Sequence, residues 1–475
     1  MPEDHAPKAS APGRSASSPP TPGQPRTGLP TAIWADRLAI LAEVVGPTLA
    51  KGPLIRQRRV TGLIARLGLE ARGVRRMERL RDRYGAGLLL VPLPGRLHIL
   101  VLSPGDAARI LHDTPVPFSP ATNEKRRALA HFEPDVSLIS TGEARLERRR
   151  LNEEALDTGR AVHSMAGPLL AAAEEEAQRL LAEAGGRLDY ARFTAAWHAM
   201  ARRVVLGNGA RDDEPLTNLL ARLRGRANWV MLARRRRSLI EQLRAGVGAH
   251  LARAEPGSLA ARIAARPKSA EAAPEGQVIH YLFAFDAAGI AVFRALALLV
   301  GHPEALAAAR AEALAVPGEM RPRLRAAILE SVRLWSTTPA ILRQATREVN
   351  WGQGIVPAGA SLVIYAPFLH RDPALPFADR FAPELWLDGG QGVRTAVEGV
   401  MEGSAEGPLA LVPFSLGPGL CPAANLVPML GSAFLARLMI AGPEVRLAEP
   451  GGLRRDRPLP GALDPFTLAF ALDPA

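Results

Sequence analysis

A single cysteine, Cys421, stands among 475 residues. No intrachain disulfide can form, and no cysteine-rich zinc or iron–sulfur site can be built. This scarcity fits a reducing compartment. Aromatic residues supply only 5% of the chain. Helix-turn-helix, zinc-finger and aromatic RNA-stacking signatures are all lacking, which removes nucleic acid from the expected partners. An export signal is lacking too. Residues 1–32 open acidic and continue rich in proline, serine and alanine without an apolar core, the composition of a disordered arm. Nowhere do about eighteen or more apolar residues run on without a break, as a membrane-spanning helix requires. A cytoplasmic protein without a transmembrane segment is therefore expected, with the amphipathic stretch Ile40 to Leu49 packed on the body rather than on a lipid surface.

What the chain does have is apolar bulk and positive charge. Hydrophobic residues make up 47% at a mean hydropathy of +0.02, which suits one globular domain over residues 33–475. The formal net charge of +12 comes from arginine more than lysine, partly in the runs Arg148 to Arg150 and Arg234 to Arg237. Such runs are commonly solvated helix faces, and a basic surface attracts acidic partners in general. The alanine, arginine, glycine and proline load points to a bacterial source.

The stretch Pro413 to Leu426, P-F-S-L-G-P-G-L-C-P-A-A-N-L, holds the cysteine. Gly417 and Gly419 permit a tight loop with few side chains in the way. Pro422 and the apolar residues after it predict a helix entered through a proline in its first turn. A sulfur so placed, with loop amides aimed at it, is stabilised as the anion that binds metal. The plain alternative is a small buried hydrophobe.

Upstream, Val278 to Val300 is apolar on every face, the pattern of a helix at the centre of a large protein. Asp286, Ala288 and Gly289 are unusual in it. A mid-helix glycine costs about 1 kcal/mol against alanine, and a buried aspartate needs a partner. Two readings stay open: a close helix crossing at Gly289 with a capped Asp286, or room for a flat cofactor and a small ligand against the backbone. Further on, Arg321 to Trp335 predicts a helix carrying Glu330 and Arg333. Arg343, His370-Arg-Asp-Pro373 and Ala378-Asp-Arg-Phe381 follow. In the other direction, Val74 to Tyr84 predicts a helix stopped by Gly85, and Leu88 to Val91 with Leu97 to Leu102 a hairpin turning at Pro94-Gly95. His112 to Ser140 reads as a long irregular loop of the kind that often binds ligands. Gly389 to Gly407 reads as a surface insertion.

These motifs, in this order, resemble the cytochrome P450 superfamily, strongly from Glu330 to Leu426 and thinly before Gly142. The family's loop reads Phe-x-x-Gly-x-Arg-x-Cys-x-Gly. Phe414, Gly417 and Cys421 match it, while Gly419 stands for the arginine and Ala423 for the last glycine. The resemblance implies a mainly α fold with a small β region and haem b between the Gly289 helix and the Cys421 loop. It implies Cys421 as the iron ligand, with Pro422 and Ala423 beside it. Arg343, Arg145 and Arg149 would meet the haem propionates, and Glu330, Arg333 and Arg380 would form a buried triad. Thr337, Thr338, Ile341 and Phe466 would line the substrate side. The family's oxygen-side pattern, Ala/Gly-Gly-x-acid-Thr, falls on Ala288 to Val292, so that Ala291 and Val292 replace the acid and the alcohol and Asp286 is the nearest acid. The implied activity is a haem-thiolate monooxygenase acting on a small apolar organic substrate, fed electrons by a ferredoxin or flavodoxin and its reductase docked near Arg148 and Arg150. A peroxide-dependent enzyme, a haem isomerase or dehydratase, and a catalytically silent P450-like partner protein are the alternatives that the replaced residues suggest.

Overall fold

Several helices start where the sequence supplies a capping side chain. Asp189 accepts the Arg192 amide at the head of Tyr190–Leu206, and Asp213 accepts that of Leu216 at the head of Glu214–Ala227, where Pro215 fills the first turn. Gly85 closes Leu69–Tyr84 at φ +88°, a conformation that a side chain would strain. The computed structural model describes residues 27–93, 96–230, 233–267, 269–315, 320–387, 411–440, 444–449, 453 and 457–473. The greater part of residues 1–32, the turn at Pro94-Gly95 and the insertion from Gly389 to Gly407 lie outside the described residues.

The architecture is mainly α with a small β region. Its axis is the helix Pro274–Gly301, 28 residues long. This helix packs on Tyr190–Leu206, Pro322–Leu334 and Leu426–Ile440, and its interior side chains belong to the larger apolar core. It is long and apolar enough to cross a membrane by length and composition, yet 67% of its most apolar window is buried within the fold. A buried all-round apolar helix belongs at the centre of a large core.

A second core forms around a five-stranded sheet in the order Leu88–Leu93, Arg96–Val101, Ser361–Tyr365, Ala340–Ala345, Phe118–Ser119. The expected hairpin is present, with Leu88 opposite Val101 and Leu93 opposite Arg96. The expected irregular loop from His112 to Ser140 is more ordered than its composition suggests. It contains strand Phe118–Ser119 and helix Asn123–Leu129, the latter capped by Thr122. In the amphipathic N-terminal stretch Ile40 and Val44 are buried, whereas Leu41 and Leu49 are exposed. The helix after Cys421 begins only at Leu426. A turn intervenes because Ala424 bonds back to the Cys421 carbonyl, so Pro422 precedes the helix rather than opening it.

Candidate active site

The Cys421 loop is held by its own backbone. The Cys421 amide donates to the Phe414 carbonyl at 2.9 Å, and Pro413 bridges Ser415, which adopts φ +67°. Gly417 sits at φ +60°, with a Cβ there 2.7 Å from the Leu111 carbonyl oxygen, so neither the conformation nor the space admits a side chain. Thr158 fastens the far side by donating its hydroxyl to the Pro422 carbonyl at 2.8 Å. Cys421 is half-buried, in densely packed surroundings. Burial pushes the thiol pKa up, while the Ala423 amide and the Arg149 charge act the other way. The loop alone therefore does not hold the sulfur as an anion. A cation beside it would displace the proton.

Gly419 has a specific packing role. A Cβ there would lie 2.5 Å from Nη2 of Arg343, so the missing side chain makes room for that guanidinium. Arg343 is buried, donates to Thr114 Oγ1 at 2.9 Å and reaches Ser415 Oγ in the cysteine loop at 3.4 Å. Arg145 is buried and donates to the Ser137 carbonyl. Lys125, which sequence reasoning missed, belongs with them. Its ammonium donates to the Leu342 carbonyl at 3.1 Å, and burial together with the charges of Arg343 and Arg145 pushes its pKa down to about 7. Arg343 and Arg145 are each lowered to about 10, first by burial. None of these three cations forms an ion pair with a carboxylate among the described residues, an arrangement that leaves buried positive charge uncompensated. Arg149 is placed differently: it pairs with Glu153 at 2.5 Å, and its charge acts on Cys421.

Beneath the loop, Glu330 and Arg333 are fully buried and paired at 2.6 Å. Glu330 also accepts from the Ala382 amide and from Trp386 Nε1. Arg333 donates to the carbonyls of His370, Ala378, Phe377 and Arg380. The expected third member is thereby corrected. Arg380 is exposed and contributes its carbonyl oxygen, at 2.7 Å, not its guanidinium. His370 links this network to the loop by accepting the Val412 amide at Nε2, while Nδ1 donates to the Arg333 carbonyl.

The long helix overturns one expectation. A Cβ on Gly289 would lie 2.7 Å from the buried Trp197 ring, so this glycine serves a close helix crossing and does not open space for a cofactor. Val292 is fully buried and fills the space left by Gly431. Partial accessibility instead follows the stripe His280, Phe283, Ala284, Ala287. His280 and Gly289 are nine residues apart, about two and a half turns, which puts them on opposite faces. Asp286 flanks the stripe and is fixed by Arg224 at 2.5 Å and His198 at 2.9 Å. Burial opposes its charge, but these two partners outweigh it and hold the carboxyl well below the usual range. His280 bonds the fully buried Glu133 at 3.0 Å.

Of the expected substrate-side residues, Thr337 and Phe466 line a cavity of about 380 Å³ together with Ile290. Thr338 and Ile341 do not, and Ile341 pairs with Ile364 in the sheet. Cys421 is not in the cavity wall.

Residues 281–440 match the family model for cytochrome P450. The chain is similar to 2-hydroxyisoflavanone synthase of Glycine max, 29% identical over 204 residues, which is 37% of this chain and 37% of that protein. It is also similar to trimethyltridecatetraene synthase of Zea mays, 31% identical over 205 residues, 38% of this chain and 36% of that protein. The match thus spans little more than a third of these curated relatives. Among solved structures, a cytochrome P450DA heme domain superposes with a TM-score of 0.66 at 18% identity, covering 86% of this chain and 93% of that one. A retinoic acid bound cyanobacterial CYP120A1 gives 0.63 at 17%, covering 84% and 94%. The fold is the one that these solved P450 structures share. By the match over residues 281–440 and by its fold, the chain is similar to the cytochrome P450 superfamily. The cofactor of that superfamily is haem b, and the residues here fit it on one observation of this structure. Three cations, Arg343 and Arg145 buried and Lys125 half-buried, stand near the Cys421 loop without an ion-paired carboxylate among the described residues, matching a macrocycle that carries two carboxylates.

Proposed function

We propose that the protein is a haem-thiolate monooxygenase that inserts one oxygen atom of dioxygen into an organic substrate by hydroxylation or epoxidation, in bacterial secondary or lipid-type metabolism and in a cytoplasmic setting. The carrying observation is the Cys421 loop, which Ser415 ties to Arg343, next to the cations Arg145 and Lys125, none of the three cations in an ion pair with a carboxylate among the described residues. In this reading Cys421 ligates iron, and Arg343, Arg145 and Lys125 hold the propionates. Bound haem supplies dioxygen activation, and the cysteine thiolate donates to the iron. Phe414, Gly417, Gly419, Pro422 and Ala423 shape the loop. The oxygen-side pattern sits five residues earlier than the sequence register suggests, with Ala284 at the second glycine, Asp286 at the acid and Ala287 at the alcohol. The accessible stripe and the turn of Gly289 toward Trp197, away from that stripe, support that shift. Asp286 then offers a carboxylate whose charge Arg224 and His198 maintain. Electrons come from a ferredoxin or flavodoxin with its reductase, docking on the basic face around Arg148 and Arg150.

The test is the carbon monoxide difference spectrum of the reduced protein. Wild type is expected to give a red-shifted Soret band that Cys421→Ser abolishes, and haem binding with an unshifted band in both would refute thiolate ligation. The lack of a hydroxyl at Ala287 favours a second reading, a peroxide-dependent or non-oxidative haem enzyme. Turnover with hydrogen peroxide but not with reductant and dioxygen would select it.

A further inference from the structure

The cavity of about 380 Å³ lies between helices Arg58–Arg66 and Leu69–Tyr84, the second half of the long helix and the turn Pro465–Thr467. An apolar substrate would call for apolar walls. Ile290, Leu334, Trp335 and Phe466 provide them on one part. The remainder is charged, with five cations, among them Lys51, Arg56 and Arg294, against four carboxylates, among them Glu70 and Asp464. Lys51 pairs with Glu70. Arg294 spends its guanidinium on the carbonyls of Leu463 and Trp335, at 2.9 Å and 3.1 Å.

Arg56 is the exception. Its Nη2 donates to the Thr337 carbonyl at 2.5 Å, but its Nη1 is buried without a partner, and so is the hydroxyl of Thr61 in the same wall. An unsatisfied buried donor costs about 1–3 kcal/mol, more when charged, so its persistence asks for a ligand. Charge points the same way. Burial holds Arg56 below the ordinary arginine range, and Lys51 and Arg294 each feel Arg56 as a like charge. Glu70 is the one carboxylate that acts on all three cations. Asp464 acts on Arg294 but is shared with Arg58 and Arg66.

We propose that this cavity binds an organic acid, its carboxylate accepting from Arg56 and Thr61 and its apolar body lying against Ile290, Trp335 and Phe466. Guanidinium and hydroxyl together present the fixed donors that two carboxylate oxygens accept. That the acid is the substrate rests on the monooxygenase reading above, through Thr337 and Phe466; binding itself does not.

The experiment titrates dodecanoic acid and methyl dodecanoate into the haem-loaded full chain by isothermal calorimetry, for wild type, Arg56→Gln, Arg56→Lys and Thr61→Val. Wild type is expected to bind the acid and to bind the ester at least tenfold more weakly, about the scale of one charge-assisted pair. Arg56→Gln should weaken the acid about tenfold or more and leave the ester unchanged, with Arg56→Lys and Thr61→Val in between. Equal binding of acid and ester, no binding of either, or an unchanged acid affinity in Arg56→Gln would overturn the proposal. Should Arg56→Gln fail to fold, Arg56→Lys and Thr61→Val decide on the same criterion. The carbon monoxide spectrum of the same samples separates the two readings: a normal band with a failed titration sinks the acid site alone, and a successful titration without the band sinks only the haem-thiolate function.

Discussion

The loop side of the site and the long-helix side solve the same packing problem in opposite ways. On the loop side backbone amides and carbonyls do the fixing: Cys421 to Phe414, Val412 to His370, Arg333 to four carbonyls. On the helix side, side-chain shape does it, with Gly289 against Trp197 and Gly431 against Val292. Backbone hydrogen bonds around a buried ion pair tolerate almost no chemical change, whereas an apolar crossing yields in proportion to the volume disturbed.

The largest break of that contrast is therefore expected on the loop side. Glu330→Gln leaves Arg333 as an uncompensated buried charge and should cost about 3–5 kcal/mol in unfolding free energy, measured by urea titration. Acid should weaken the same side. Burial and then the Arg333 charge push the His370 pKa down to about 3. Between about pH 6.5 and that value the unfolded chain binds a proton the native chain refuses. Stability should thus fall as pH falls through this window, by on the order of a few kcal/mol, and His370→Gln should show a shallower slope over the same range.

On the helix side, Gly289→Leu should cost about 1–3 kcal/mol through the Trp197 clash, with haem content per folded molecule unchanged. A loss of haem without loss of stability would instead return Gly289 to the cofactor. The smallest effect belongs to the open stripe. Ala287→Thr should change stability by less than about 0.7 kcal/mol while raising reductant-driven turnover relative to peroxide-driven turnover. An unchanged ratio would remove residue 287 from the oxygen side.

What could be read in advance follows the same division. The Cys421 loop and the Glu330–Arg333 pair are short-range patterns, three to eight residues across, and a local pattern survives in a linear reading. The register of the long helix did not, because a helix apolar on all sides has no stripe to say which face meets which neighbour. Glycine there signalled a constraint without its direction. Lys125 was missed since it lies in a stretch that reads as loop, and its significance comes from Arg145 and Arg343, twenty and more than two hundred positions away. Arg380 was misassigned because spacing locates a residue but cannot distinguish its side chain from its carbonyl.

By itself, then, the sequence determined the helical class, the buried central helix, the hairpin and the loop that carries the one thiol, all set by periodicity, turn residues and local backbone bonding. Only the tertiary structure decided that Gly289 faces Trp197, that Gly419 makes way for Arg343, and that Arg56 is left with an unpaired donor in a cavity. Each of these is a contact between segments distant in the chain, and such contacts are fixed by close packing in three dimensions rather than by any residue's immediate neighbours.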